Sequence, residues 1–350
     1  MRYKLKSLTQ SRLFWPFAAL ILMVIFNIIF VPNFLKIEMK DGVFFGRIID
    51  IFNRAAPIML MAIGMTLVIA LGGIDISVGS VASISGAVIC ALIGGNFEGI
   101  PVNPFAVAIF VALLVAAAAG VWNGFLVAKL GVQPVVATLI LYVAGRGIAQ
   151  LVTEGQILTV YYKPFAYLGG FVPGIPIPFS IIIVAVVLIV VMLTIKKTAL
   201  GLFIESAGVN ATASKFTGIN VTRIKFLVYA FCGFCAGIAG LIIASLIRAA
   251  DANNAGLAME MDAILAVALG GTSLNGGKFS MGASMIGALI VQSITTTMYA
   301  IGVSSQVLPL IKSLVVIVLC LALSEDFRRV AFGSFGRRGG AHNEKITAKL

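Results

Sequence analysis

The chain has 350 residues, 60% hydrophobic and only 11% charged, with a mean hydropathy of +1.10. A soluble domain carries about 25% charged residues, so the composition excludes one and points to an all-α, polytopic integral membrane protein. The net charge of +12 does not mark a nucleic-acid binder. The cations sit in short loops and tails between apolar runs, as orientation signals do, and no basic domain is set apart to hold a duplex.

Residues 1–12 are short and basic, and an apolar run over 13–31 follows. The run is too long for a signal-peptide core and no small-residue cleavage site follows, so it reads as a first span with its amino terminus inside. After an outer loop over 36–50, spans are expected at 51–70, 76–93, 105–128, 135–152, 178–195 and 226–247. Lys129 marks an inner turn, and 94–104 and 153–176 are outer loops. The segment 258–271 is short for a full crossing at about 1.5 Å per residue. Spans at 279–300 and 307–323 complete the set. Ten crossings put both termini inside, with Lys129, the 196–225 loop, Lys278 and the basic cluster at 328–338; the even number rests on the eighth segment. The organisation is then a short segment 1–12, a transmembrane domain 13–323 with glycine-broken segments near 71–80 and 268–278, and a basic tail 324–350.

The long polar interruption at 196–225 carries Lys196, Lys197, Lys215, Arg223 and Lys225 against one acid, Glu205. Asn210 is a good N-cap, 211–217 makes about two helical turns, and Gly218 closes them in the left-handed conformation. A short capped helix held against the membrane face is either a docking element or an ordinary connector.

ALGGIDISVG (70–79) matches ALGGTSLNGG (268–277), and after a slip Gly86-Ala87 aligns with Gly287-Ala288. Interrupted apolar segments at corresponding places in two halves point to a transport pathway, because broken helices expose backbone that water or a polar solute can satisfy. The alternative is a recurring glycine-rich turn. The copies are six crossings apart by this count, hence parallel. Asp75 and Glu98 are the only charges between Arg54 and Lys129. Asp75, beside Ser77, is either held by a polar partner or wet at the inner interface. Other pathway candidates are Asn53, Arg54, Asn123, Arg146, Gln150, Glu260, Asp262, Gly270 and Gly271, with Arg54 and Arg146 also readable as structural partners for acids. Small residues at 116–120 and at Gly233, Gly237 and Gly240 allow close helix packing.

Cys90, Cys232, Cys235 and Cys320 lie inside apolar runs and His342 is the only histidine, so no metal site is expected. The stretch 271–279 misses the phosphate-loop spacing and has Phe279 where a magnesium-binding Ser or Thr is needed. An ATP-driven mechanism therefore needs a second protein docked on the 196–225 loop.

Three stretches in order, AIGMTLVIALGGIDISVGS (62–80), GLFIESAGVNATASKFTGIN (201–220) and LAVALGGTSLNGGK (265–278), resemble the membrane permeases of bacterial ABC sugar importers of the ribose, xylose and galactose class. The resemblance covers about 48–323; NRAAP (53–57), AGRG (144–147) and RAADANNAG (248–256) are similar to its galactofuranose branch. It implies a permease subunit, not an enzyme, in the bacterial inner membrane, in contact with lipid. The implied partners are a second permease copy or paralogue, cytoplasmic ATPase subunits that bind ATP and magnesium, a periplasmic sugar-binding protein and the sugar; this chain holds no cofactor. The implied coupling element spans 205–218, with Glu205, Gly208, Asn210, Lys215 and Gly218, and Asn220 just beyond. The competing class is a proton-coupled secondary transporter titrating Asp75 or Asp262. An intramembrane aspartyl enzyme on the same pair lacks the Gly-x-Gly-Asp context.

Overall fold

The computed structural model describes residues 13–40, 42–94, 103–304 and 306–323. The readings placed on 1–12, Glu98, the tail 324–350 with its cluster at 328–338, and His342 lie outside the described residues.

The chain folds as α1 (Phe14–Phe30), a hairpin of β1 (Ile37–Lys40) and β2 (Val43–Gly46), α2 (Arg47–Ala70), α3 (Val78–Ile93), α4 (Phe105–Ala128) and α5 (Pro134–Val152). It continues with β3 (Leu158–Thr159), α6 (Lys163–Ala166), α7 (Phe179–Lys197), α8 (Leu200–Val209), α9 (Ala211–Phe216) and α10 (Val221–Ile247). β4 (Ala249–Ala250), α11 (Met259–Leu269), α12 (Met281–Ile301) and α13 (Leu308–Leu323) follow. Among the described residues, six helices (α2, α4, α5, α7, α10 and α12) are long and apolar enough to cross a membrane, and α1, α3, α8 and α13 are shorter apolar helices.

Two helices form the centre. α2 is enclosed along most of its length, and α10 packs on α2, α3 and α4. Small residues make this approach possible. A Cβ on Gly233 would lie 2.7 Å from the Cα of Gly120, and one on Gly240 would lie 2.1 Å from the carbonyl oxygen of Ala82. In hydrocarbon no hydrophobic force drives helices together, so such backbone contact supplies the packing. α7 is apolar on every side and mostly uncovered, the composition of a helix that faces lipid.

The structure corrects two expectations. The loop at 36–50 is an antiparallel hairpin pairing Ile37 with Gly46, and α2 begins at Arg47 rather than residue 51. Lys36 and Lys40 bond Glu38 at 2.7 and 2.9 Å, and these contacts hold its carboxyl down at about 2. The 196–225 loop contains two helices, not one. The eighth segment is as short as its sequence indicates: α11 has 11 residues, about 16 Å of rise. Before it, after β4, 251–258 runs irregularly along α3, where Ser83 Oγ donates to Ala252 O at 3.2 Å and a Cβ on Gly256 would meet Gly79 O at 2.4 Å. Arg146 donates to Ala255 O at 2.6 Å and Ala252 O at 3.2 Å. These contacts replace the hydrogen bonds a helix would make, which lets irregular backbone lie inside the body.

Candidate functional site

Each broken segment begins where a helix is stopped by a glycine. At the end of α2, Gly72 N–H donates to Ile69 O at 2.8 Å and Gly73 N–H to Val68 O at 3.1 Å, with Gly72 at φ +74°. At the end of α11, Gly271 N–H donates to Ala268 O at 2.9 Å and Thr272 N–H to Val267 O at 3.3 Å, with Gly271 at φ +73°. Both are glycine-terminated helix ends of one design. The equivalence is Gly72 with Gly271, one residue off the Gly72–Gly270 match of the sequences. Gly270 keeps a right-handed φ of −68° and lies where α12 crosses: a Cβ there would sit 2.6 Å from Ser284 N.

α8 brings the loop to both breaks. It buries Gly201, Ile204 and Ala207, and its penultimate residue is pressed into the junction. A Cβ on Gly208 would lie 1.8 Å from Ala70 O and 2.7 Å from Gly277 N. Gly277 N–H itself donates to Ala70 O at 2.8 Å, and a Cβ on Gly276 would lie 2.8 Å from Gly72 N and 3.0 Å from Gly208 O. Three backbones thus meet without a side chain between them. Because the C-terminal ends of α2 and α11 lead into the same junction, the two copies run in the same direction. Beyond it, Asn210 Oδ1 accepts from Ala213 N at 2.9 Å, Gly218 is left-handed at φ +86°, and Asn220 Oδ1 caps α10 by accepting from Arg223 N at 3.0 Å. α9 turns Lys215 outward and leaves Phe216 89% exposed. Glu205 is half-buried on α8.

The polar candidates divide into separate groups. Asp75 is 1% exposed, which removes the reading of a wet interfacial carboxylate. Its Oδ1 accepts from Ser77 N at 2.9 Å, Ser77 Oγ at 2.6 Å and Asn123 Nδ2 at 3.4 Å, and Asn123 Nδ2 also donates to Ser77 Oγ at 2.8 Å. Asp75, Ser77 and Asn123 therefore form one clasp that holds the first broken segment to α4. Tyr229 reaches the same place, its Oη 2.4 Å from where a Cβ on Gly73 would be. Asp262 is elsewhere, in an ion pair with Lys312 at 2.6 Å that ties α11 to α13. Arg146 holds the 248–258 segment, with Gln150 Nε2 donating to Asn253 Oδ1 at 2.7 Å; Glu260 is buried nearby. Asn53 accepts from Ser180 Oγ and so belongs to the α2–α7 contact. Arg54, one residue on, faces a cavity instead.

Sequence reasoning missed Lys312, Tyr229 and α8. A lysine in an apolar run was the available signal for the first, and the alternation of Gly201, Ile204 and Ala207 for the last. Among the described residues no group of His, Cys, Asp and Glu is arranged to hold a metal ion.

Comparison with known proteins gives this architecture a family. Residues 47–323 match the family model described as branched-chain amino acid transport system / permease component. The chain is 45% identical over 324 residues to the galactofuranose transporter permease of Escherichia coli K12, covering 91% of this chain and 93% of the relative. It is 40% identical to a fructose import permease of Bifidobacterium longum, over 90% of this chain and 88% of the relative. It is 35% identical to a ribose import permease of Haemophilus influenzae, over 87% and 91%. No solved structure matches the chain. Matched along nearly all of its described length and sharing its span with sugar-import permeases, the chain belongs to this family of multi-pass membrane transport permeases.

Proposed function

We propose that the chain is the permease subunit of an ATP-binding-cassette importer that carries a monosaccharide, galactofuranose-like or a pentose, across the bacterial inner membrane. The observation that carries the reading is the junction at Gly208. The most cationic loop of the chain folds into two helices, exposes Phe216 and Lys215 away from the body, and meets the ends of both broken segments at Gly208. A motor that pulled on α8 and α9 would act on both breaks together. No phosphate loop is present, so ATP and magnesium belong to a separate cytoplasmic ATPase docked on 196–225. A second permease copy or paralogue and a periplasmic sugar-binding protein complete the assembly. The excess of Lys and Arg near the junction puts that end in the cytoplasm; ten crossings then put both termini there.

The sugar relatives support the substrate class: galactose, fructose and ribose all form five-membered rings. The proton-coupled alternative rests on Asp75 or Asp262 as its titrating carboxyl. Asp75 is held by three hydrogen bonds and Asp262 by Lys312, which favours the ATP-driven reading. The test is reconstitution in proteoliposomes with the ATPase and binding protein. Sugar accumulation is expected to continue with an uncoupler while ATP is maintained, and to stop when the ATPase is left out. Uptake by this chain alone under a pH gradient would overturn the proposal.

A further inference from the structure

At the end of the molecule opposite the Gly208 junction, two polar helix faces meet. Arg47, Asp50 and Arg54 recur on α2 at i, i+3 and i+7, and Gln292, Thr295, Thr296 and Tyr299 recur on α12 at i, i+3, i+4 and i+7. Both spacings put their residues on one helical face. With the apolar carboxyl-terminal turn of α10 they line a cavity of about 800 Å³, inside the range of roughly 300–1,000 Å³ typical of small-molecule sites. A polar stripe on a membrane-spanning helix is costly unless it faces water, protein or a solute.

The stripe retains unused hydrogen-bonding capacity. Among the described residues, Arg47, Asp50 and Arg54 form no ion pair. Thr295 spends its hydroxyl proton on Val291 O at 3.1 Å, but Gln292, only 7% exposed, gives its amide to Thr296 Oγ1 at 3.1 Å and keeps its oxygen free. Tyr299 stands 56% exposed at the rim.

We infer that this cavity is a contact site for a neutral monosaccharide on its way through the permease; the inference rests on the sugar-import reading above. A sugar presents vicinal hydroxyls that both donate and accept, and one face of C–H bonds. Arg54 supplies paired donors and Asp50 an acceptor. The Gln292 oxygen accepts, and the Tyr299 ring offers an apolar platform. Asp50 lies one turn from each arginine and offsets one of their two positive charges.

The experiment compares Arg54→Gln, Gln292→Leu and the volume-conserving Thr296→Val in proteoliposomes containing the ATPase and the binding protein. The probe is radiolabelled galactose, fructose or ribose, whichever the wild-type complex accumulates. Arg54→Gln and Gln292→Leu are expected to lower sugar moved per ATP at least tenfold, and Thr296→Val about threefold. Hydrolysis stimulated by the loaded binding protein is expected to stay within twofold of wild type. A parallel fall of transport and hydrolysis in all three variants, or unchanged sugar per ATP in all three, would overturn the inference. If Arg54→Gln fails to assemble, Thr296→Val decides alone. A wild-type complex that accumulates none of the three sugars with ATP refutes the import reading instead, a result separable from any behaviour of the variants.

Discussion

Lys312 and Asp262 show how a charge is kept inside this protein. Their side chains are only 13% and 18% exposed, with Nζ to Oδ1 at 2.6 Å. Desolvating both ions costs much of what their attraction returns, so the pair contributes little net stability, whereas removing one partner strands the other. Lys312→Met is expected to destabilise by about 3–5 kcal/mol, read as a lower unfolding midpoint in detergent. The double variant Lys312→Met/Asp262→Leu is expected to recover most of that loss. A single variant as stable as the double would show that the two groups do not depend on each other. Asp75 is held by neutral partners instead: Ser77 and Asn123 donate hydrogen bonds to its carboxyl on the broken segment. The sequence displays each of these carboxylates as a rarity in an oily run and sets Ser77 beside Asp75, but it does not pair Asp262 with Lys312. Lys312 is 50 residues away from Asp262, and Arg146 is bonded by main-chain carbonyls, which no side-chain pattern announces.

At the scale of elements, the fold turns on α8 and the two helix ends it touches. Gly208→Ala puts a methyl carbon 1.8 Å from Ala70 O and 2.7 Å from Gly277 N. Backbone atoms cannot rotate out of the way as a side chain does, so α8 must part from the end of α2, the α11–α12 turn, or both. Sugar moved per ATP in the reconstituted complex is expected to fall at least tenfold. Gly218→Ala is the comparison: nothing lies within 4 Å, and only the left-handed backbone is penalised, by about 1–2 kcal/mol. It is expected to keep coupling. Wild-type coupling in Gly208→Ala would refute the junction as the transmitting contact. The caps of α9 are legible in the sequence because Asn210 and Gly218 act on their own neighbours. α8 is harder to read, because a helix lying along the body buries only a narrow face, Gly201, Ile204 and Ala207. The two Gly-Gly pairs are legible as a repeat, yet their alignment is one residue off. Packing of α12 on Gly270, a tertiary effect, selects Gly271 as the left-handed residue.

For the whole molecule, the proposed orientation and the eighth segment stand or fall together. Hydropathy finds the long helices without difficulty, since each must hide its backbone for the width of the bilayer. It fails at 248–269, where irregular chain and an 11-residue helix share one passage supported by Arg146 and α3. If that passage crosses, the ends of α10 and α12 lie on the same side, opposite α9. Cysteine labelling in a variant with Cys90, Cys232, Cys235 and Cys320 replaced by alanine measures this directly. Glu154→Cys, after α5, and Ser304→Cys, after α12, are expected to react with a membrane-impermeant maleimide added from the periplasmic side. Lys215→Cys on α9 is expected to react only in inverted vesicles. Labelling of Ser304→Cys together with Lys215→Cys, and apart from Glu154→Cys, would mean that 248–269 turns back without crossing. The α12 half of the cavity proposed for the sugar would then lie at the opposite face of the membrane from its α2 half.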